Sequence, residues 1–199
     1  MYKTEVFVKK TTLTDLKENY CDREKFESFC RECRNYGQVW SCPPYDFSIE
    51  EYLKEYNYIY ITGVKIIFDE NTLEKVNTSE KINNYTTETL FVMKNKLLDI
   101  MLQMEKIYPD SRGLSAGGCK ICEDCSRKSN ISCKHPELMR YSLESLGFDV
   151  GKISSNILNF ELKWATATRL PDYFSLITGL MTKEQISNFQ ENVKKLLES

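Results

Sequence analysis

The sequence predicts an α/β fold of the mixed α+β type, with a mixed sheet of about five strands, packed helices and two cysteine-rich metal-binding loops. Two observations support this prediction. Short segments rich in β-branched and aromatic residues alternate with segments whose apolar residues recur at steps of three and four. The last two predicted strands are close in sequence and indicate an antiparallel hairpin, so we do not expect a strictly parallel sheet.

Five segments are predicted to be strands. The clearest is Tyr58–Phe68, YIYITGVKIIF, because β-branched and aromatic residues pack well on a pleated surface. The others cover residues 5–9, 112–116, 160–164 and 173–181. The sheet is therefore expected to take strands from nearly the whole length of the chain.

The longest predicted helix spans residues 86–108. Asp22 is placed to cap a shorter helix that ends near Cys30, and Ser48 with Glu51 fits a capping box that opens another. The long helix carries an apolar stripe of six side chains, which predicts the face it buries. The stripe consists of Leu90, Met93, Leu97, Met101, Met104 and Tyr108.

Three further helices are predicted towards the C-terminus. One follows Pro136, which suits a first helical turn, and ends at Gly147. Another covers residues 150–158. The last begins at a capping box formed by Thr182 and Gln185. Its predicted inner face consists of Ile186, Phe189, Val193 and Leu196.

The bulk composition predicts a single metal-binding domain over residues 1–199. Hydrophobic residues make up 41% and charged residues 28%, as in ordinary globular domains. The net charge of −2 argues against nucleic-acid binding, which usually needs a basic face. No segment approaches the run of about 18 apolar residues that spans a bilayer, and the N-terminus has no hydrophobic signal region. We therefore expect no membrane contact and a cytoplasmic location.

The eight cysteines are too sparse for a disulfide scaffold and are clustered in the sequence. A cytoplasmic location would keep thiols reduced. Clustered, reduced thiols are typical of metal binding or redox chemistry. The clusters define two cysteine-rich loops, the first at residues 30–44 and the second at residues 117–136.

The second loop, GGCKICEDCSRKSNISCKHP, carries the strongest motif. Cys119, Cys122 and Cys125 are separated by two-residue gaps, and Cys133 follows after seven residues. This spacing resembles ferredoxins, in which three close cysteines wrap three corners of a [4Fe–4S] cluster. The gap before Cys133 is longer than in ferredoxins, so Cys133 either folds back onto the same cluster or reaches a second one. We predict one [4Fe–4S] cluster here, with zinc as the alternative, although zinc usually takes two separated pairs of ligands.

Basic residues surround the second loop. Between residues 112 and 140 there are six basic side chains against three acidic ones. This local excess suits an anionic cluster or the docking of an acidic redox protein partner. The basic residues are Arg112, Lys120, Arg127, Lys128, Lys134 and Arg140, and the acidic ones are Glu123, Asp124 and Glu137.

The first loop contains Cys30, Cys33 and Cys42, followed by two prolines. Three thiolates make an incomplete site, so a fourth ligand must come from elsewhere. Cys21 is one candidate, and a small buried core residue is the other interpretation of it. If Cys21 is not a ligand, the site has an open corner where a substrate can bind. Ligation across the two loops, with Cys42 and Cys133 exchanged, and a zinc knuckle are further alternatives.

The remaining polar candidates receive simpler interpretations. His135 is the only histidine and is expected to be an exposed residue just before a helix, rather than a proton-transfer group. Glu144 and Asp149 are interpreted as surface or capping residues. No Gly-rich nucleotide-binding motif is present.

Three stretches of the sequence resemble an uncharacterised family of predicted metal-binding proteins, widespread in anaerobic bacteria and archaea. They are CRECRNYGQVWSCPPYDFSIEEY, LSAGGCKICEDC and CKHPELMRYSLESLGFDVGK. The resemblance covers most of the chain and implies a cysteine-rich, iron–sulfur protein without an assigned reaction. The family pattern has no cysteine at position 21. The metal-associated set it implies is Cys30, Cys33, Cys42, Cys119, Cys122, Cys125 and Cys133.

Three functional hypotheses follow from the motifs. The first is an electron-transfer or redox accessory protein that carries a [4Fe–4S] cluster. The second is an iron–sulfur enzyme with an open-corner cluster between the two loops. The third is a structural or regulatory protein that binds zinc. A site shared by the two loops requires that they lie close together in the fold, although about eighty residues separate them.

Overall fold

The computed structural model describes residues 2–198, which form a four-stranded antiparallel sheet and seven α-helices. The sheet order is β1-β2-β4-β3, and each neighbouring pair is antiparallel. The strands are β1 (Tyr2–Thr12), β2 (Tyr58–Phe68), β3 (Ser111–Gly113) and β4 (Tyr173–Thr182). The α+β class is confirmed, with four strands in the described residues where about five were expected.

The helices surround the sheet, and most begin at a side-chain cap. Asp22 accepts a hydrogen bond from the Lys25 amide, and Ser48 accepts one from the Glu51 amide, as the sequence predicts. The helices are α1 (Leu13–Tyr20), α2 (Arg23–Arg31), α3 (Ile49–Lys54), α4 (Glu70–Lys75), α5 (Ser79–Ile107), α6 (Val150–Lys152) and α7 (Phe189–Glu198). A π-helical turn, Ile153–Ile157, continues α6.

Two hydrophobic cores lie on opposite faces of the sheet. Successive side chains of a strand point to opposite faces. In β2, the even-numbered Val64 and Ile66 lie in the first core, and the odd-numbered Ile59 and Ile61 lie in the second. The long helix α5 and the terminal helix α7 cover the first core. The second contains residues of α1, α3 and the α6 region. The predicted stripe of α5 is confirmed, since Met93, Leu97, Met101 and Met104 are all buried.

The predicted strand at residues 160–164 is wrong, because this segment is irregular. Strand β3 covers only residues 180–182 of β4, and the segment does not pair with the remaining edge. Phe160 instead packs across the sheet face against Phe7, at 5.0 Å between ring centroids. The close approach requires Gly63, since a Cβ there would lie 2.8 Å from the Phe160 ring.

The predicted helix from Pro136 to Gly147 is also wrong. Only a 3₁₀ turn, Glu144–Leu146, forms within it. Its earlier part pairs with the chain that leaves β3, because the Ser115 amide donates to the Tyr141 carbonyl at 2.8 Å. Backbone groups used in this way are not available for a helical ladder.

The terminal helix begins later than its predicted start at Thr182. Thr182 belongs to β4, where it pairs with Tyr58 and with Ser111, and the helix begins at Phe189. Between residues 2 and 198, no helix has the length and hydrophobicity needed to cross a membrane. Strand β3 lies at the edge of the sheet and leads directly into the second cysteine loop.

Candidate metal centres

The four cysteines of the second loop line one cavity, named here the second-loop cavity. The seven-residue gap turns back on itself, so that Cys133 returns to the side of Cys125. The Ile131 amide donates to the Ser126 carbonyl at 3.1 Å, and the Ser126 hydroxyl donates to the Ser132 carbonyl at 2.8 Å. The structure therefore brings Cys119, Cys122, Cys125 and Cys133 together around a single space.

The thiols of this cavity affect one another electrostatically. Burial raises the pKa of Cys119, and the neighbouring Cys133, Cys122 and Cys125 raise it further, against a backbone hydrogen bond that lowers it. A bound cation would favour the thiolate forms that ligate metals. The cavity therefore has the chemistry of a metal site whose ligands lose protons when they bind.

The three cysteines of the first loop line a separate space, named here the first-loop pocket. Cys30 lies near the end of α2, and the Cys33 amide donates to its carbonyl at 3.0 Å. Cys42 precedes the cis peptide bond between Pro43 and Pro44. Burial raises the pKa of Cys42 to about 11, with Cys33 and Cys30 adding to the shift.

Cys21 contributes to neither space. It lies between α1 and α2, forms an isolated antiparallel bridge with Phe148, and packs against the second core. Burial raises its pKa, and the charges that act on it are those of Arg23, Glu50 and Lys17. The core interpretation of Cys21 therefore agrees with the structure.

The two cysteine loops are in direct contact, as a shared region requires. The Cys119 amide donates to the Ser41 hydroxyl at 2.8 Å, and Ser41 is adjacent to Cys42 in the chain. The Trp40 indole donates to the Ile131 carbonyl at 3.0 Å. One hydrogen bond thus connects the backbone of a cysteine in the second-loop cavity to the side chain of Ser41, the residue before a cysteine of the first-loop pocket.

Arg127, a residue of the second loop, also binds the first loop. Its guanidinium donates to the Val39 carbonyl at 3.0 Å and also to the carbonyls of Cys42 and Pro44. It also lies 5.0 Å from the centre of the Trp40 ring, within the range of a cation–π contact. The side chain therefore fixes the first loop and brings positive charge close to both groups of thiols.

The arginine side chains that give the second loop its basic excess are directed towards the interior of the fold. Arg140 is buried in an ion pair with Glu105, Arg127 binds the first loop, and Arg112 is half-buried. The exposed charges of the loop are balanced in number. They are Lys120, Lys128, Lys134, Glu123, Asp124 and Glu137. An anionic group inside the loop would experience more of the positive charge than a partner outside it.

His135 and Glu144 differ from their predicted roles. His135 is half-buried and lines the second-loop cavity, and no helix follows it. Glu144 lines the first-loop pocket, where its Oε2 atom is buried without a hydrogen-bond partner. Asp149 does cap a helix, by accepting from the Lys152 amide at 2.9 Å. No local signal distinguishes Glu144 from a surface acid, because only the folded chain brings it to the cysteines.

We expect the stability of the metal-free protein to fall as the pH rises above about 4.5, the ordinary pKa of a glutamate. Burial raises the pKa of Glu144, so the folded state holds this proton to higher pH than the unfolded state does. That contribution is complete below the unfolded pKa and is lost as the pH rises towards the folded one. Urea unfolding across this range would measure it.

The matched pair of variants for this test is Glu144→Gln and Glu88→Gln. Glutamine cannot ionise, so the first variant should show a smaller decrease in unfolding free energy as the pH rises. Glu88 is exposed on α5, and its replacement should leave the slope unchanged. Equal slopes in all three proteins would contradict the assignment of the effect to Glu144.

In the described part of the chain, no three histidine, cysteine, aspartate or glutamate side chains are grouped closely enough to hold a metal ion. Comparison with known proteins gives one match. A family model, DUF2284, described as a predicted metal-binding protein, matches residues 17–181 and includes both cysteine loops. No curated protein and no solved structure matches the chain.

Proposed function

Because the chain belongs to DUF2284, a family of predicted metal-binding proteins, we propose that it is an iron–sulfur protein that transfers electrons. In this proposal Cys119, Cys122, Cys125 and Cys133 hold one [4Fe–4S] cluster. A cluster bound there supplies reversible one-electron chemistry. The protein itself supplies the four thiolates, the surrounding charge and the contact with a redox partner.

One observation carries this proposal: four thiols line a single cavity although the last is separated from the others by a seven-residue loop. The cubane core holds its irons at separate corners, so its ligands must surround a space. Cys119, Cys122 and Cys125 supply three sides of the second-loop cavity. The hydrogen bonds of Ser126 return Cys133 to the fourth.

The distribution of charge agrees with an anionic group in this cavity. A [4Fe–4S] core with four thiolates carries net negative charge in either of its common states. Arg127 and the ion-paired Arg140 lie inside or beneath the loop, and Arg140 is only 4% exposed. Because Glu105 neutralises Arg140, the cations here that form no ion pair with any described residue are Arg127 and Lys134, of which Lys134 lines the cavity. They would favour the bound cluster and raise its reduction potential relative to an uncharged setting.

A redox protein would accept or deliver the electron across the exposed side of the second loop. All four thiols are only half-buried, so an approaching partner comes close to them. Charged residues of both signs are exposed there, and the lysines among them suit an acidic partner. The exposed lysines are Lys120, Lys128 and Lys134.

Reversible reduction tests the electron-transfer function. After anaerobic purification, dithionite should produce a low-temperature EPR signal of a reduced [4Fe–4S] cluster, and reoxidation should remove it without loss of iron. Potentiometric titration would give the one-electron potential. Zinc bound without sulfide, and no EPR signal on reduction, would contradict the proposal and favour a structural metal site.

A further inference from the structure

The first-loop pocket is formed by residues that are distant in sequence. Cys30 and Cys33 come from the end of α2, and Cys42 comes from the other end of the loop. Gly117 and Gly118 of the second loop complete one wall. A Cβ at Gly118 would lie 3.3 Å from the Cys42 sulfur, so the backbone approaches this thiol closely.

Three thiols leave such a pocket one ligand short of a complete cluster site. The sequence offers Cys21 as the fourth, but that residue pairs with Phe148 and lines neither space. Cys133 lines the second-loop cavity with Cys125 and its neighbours. All the cysteines outside the first loop are therefore placed elsewhere, so a fourth ligand is either a different kind of side chain or a molecule bound at an open corner.

Glu144 supplies that side chain. It is the one carboxylate among the residues that line the pocket, and its Oε2 atom is buried without a hydrogen-bond partner. A buried carboxylate in this condition costs free energy unless it is protonated or a cation binds it. Cys30 is close enough to experience the Glu144 charge.

Three of the four other oxygen-bearing side chains that line the pocket have partners, and the fourth, Asn35, is a neutral amide. The Tyr36 hydroxyl donates to Glu27 at 3.3 Å. Ser145 Oγ donates to the Ser142 carbonyl at 2.8 Å and accepts from the Ser142 amide at 3.1 Å. Ser142 Oγ accepts from the Ser145 amide at 3.3 Å. These serines hold the 3₁₀ turn in shape, and that turn presents Glu144.

The 3₁₀ turn is also fixed relative to Cys30. Helix α2 carries Cys30 near its end, and the Asp22 amide at its start donates to the Gly147 carbonyl at 3.0 Å. Gly147 has φ of 93°, and a Cβ there would lie 2.8 Å from the Arg23 side chain, so the turn and the helix pack closely. The carboxylate and the thiol are thus held by one packed unit.

Lys94 is the nearest competing partner for Glu144. It lies on α5 close enough to affect the carboxylate, and its Nζ would be 3.2 Å from a Cβ at Gly117. Among residues 2–198, however, no ion pair within 4.0 Å joins Lys94 to Glu144. The Oε2 atom has no hydrogen-bond partner, and Glu144 lines the same pocket as the three thiols.

We propose that the first-loop pocket holds a second [4Fe–4S] cluster, with Cys30, Cys33 and Cys42 as three ligands and the Glu144 carboxylate as the fourth. The inference rests on the proposed function in one respect, that the protein carries iron–sulfur clusters. Three irons have soft thiolate ligands and the fourth has a hard oxygen ligand, so one iron differs from the rest. The hydrogen bond between Cys119 and Ser41 connects the two centres.

Iron and sulfide analysis with Mössbauer spectroscopy tests this assignment. Anaerobically purified, ⁵⁷Fe-labelled protein should contain about eight irons and eight sulfides, with one iron of the eight in an oxygen-ligated environment. Glu144→Ala should lose that iron and show the EPR signal of a three-iron cluster after oxidation. Glu144→Cys should keep all the iron and lose the oxygen-ligated component. Glu88→Ala, the exposed control, should match the wild type.

Other outcomes of these measurements distinguish failure of the second cluster from failure of the proposed function. Four irons that all disappear in Cys125→Ala would overturn the second cluster and leave the proposed function in place. Four irons that depend on Cys42 and not on Cys125 would do the reverse. About eight irons with the same spectrum in wild type and Glu144→Ala would overturn Glu144 as a ligand. No iron in any preparation would overturn both.

Discussion

Replacing Arg140 with alanine should lower the free energy of unfolding by about 3 kcal/mol, because it leaves the largely buried Glu105 carboxylate with only the Gly113 amide as a partner. The pair is bidentate: Arg140 Nε donates to Glu105 Oε1 at 2.6 Å and Nη2 donates to Oε2 at 2.5 Å. Arg140 Nη1 also donates to the carbonyls of Glu137 and Met139, at 2.9 and 2.8 Å. The side chain therefore joins the segment after Cys133 to α5.

Loss of this connection should also reduce metal binding in the second-loop cavity, since the segment that follows Cys133 loses four hydrogen bonds, two to Glu105 and two to its own carbonyls. Urea unfolding and iron content would be measured in the same preparations. Arg169→Ala is the control, because Arg169 is exposed and its side chain forms no hydrogen bond with the described residues.

The double variant Arg140→Met with Glu105→Leu distinguishes a buried ion pair from simple packing. Removing both charges should recover much of the lost stability, because no unpaired ion remains in the interior. A change below about 1 kcal/mol in Arg140→Ala would contradict the importance of this pair, since that value is typical of exposed ion pairs.

Cys125→Ala should abolish cluster binding in the second-loop cavity, with the loss of about four irons and four sulfides per chain. The cysteine lines the cavity with three other thiols, and a small apolar side chain cannot replace a thiolate ligand. Chemical analysis of anaerobic protein, with circular dichroism to establish folding, measures the effect.

Cys21→Ala is the matched control for this experiment. Cys21 is also a half-buried free cysteine, but it packs against the second core and lines neither metal space. The variant should retain all its iron. Equal loss of iron in the two variants would indicate that Cys21 is a ligand, against the arrangement described above.

Strong local patterns predicted the fold best. The β-branched run of β2 and the stripe of α5 are confirmed, because each has one interpretation that buries its apolar residues. The segment at residues 160–164 has strand-like residues, yet it is irregular, because packing of Phe160 on the sheet face against Phe7 competes with pairing at the edge of β4. That competition depends on the pairing of distant strands and is invisible in a local window.

The cysteine spacing grouped the residues as they line the second-loop cavity and the first-loop pocket, and the contact between the loops is as expected. The assignment of these cysteines as metal ligands stays a prediction. The spacing could not predict Glu144, which reaches the first-loop pocket through a 3₁₀ turn in a segment expected to be helical. A count of charges also could not show where the basic side chains point. Arg127 and Arg140 add to the basic excess of the sequence, but both are directed inwards in the fold.

The most direct test of the central claim is the iron, acid-labile sulfide and zinc content of the wild-type protein, purified without oxygen. Binding of a [4Fe–4S] cluster in the second-loop cavity predicts at least about four irons and four sulfides per chain, with little zinc. About one zinc per chain without sulfide would contradict the claim, because the four thiols would then serve a structural metal and not electron transfer.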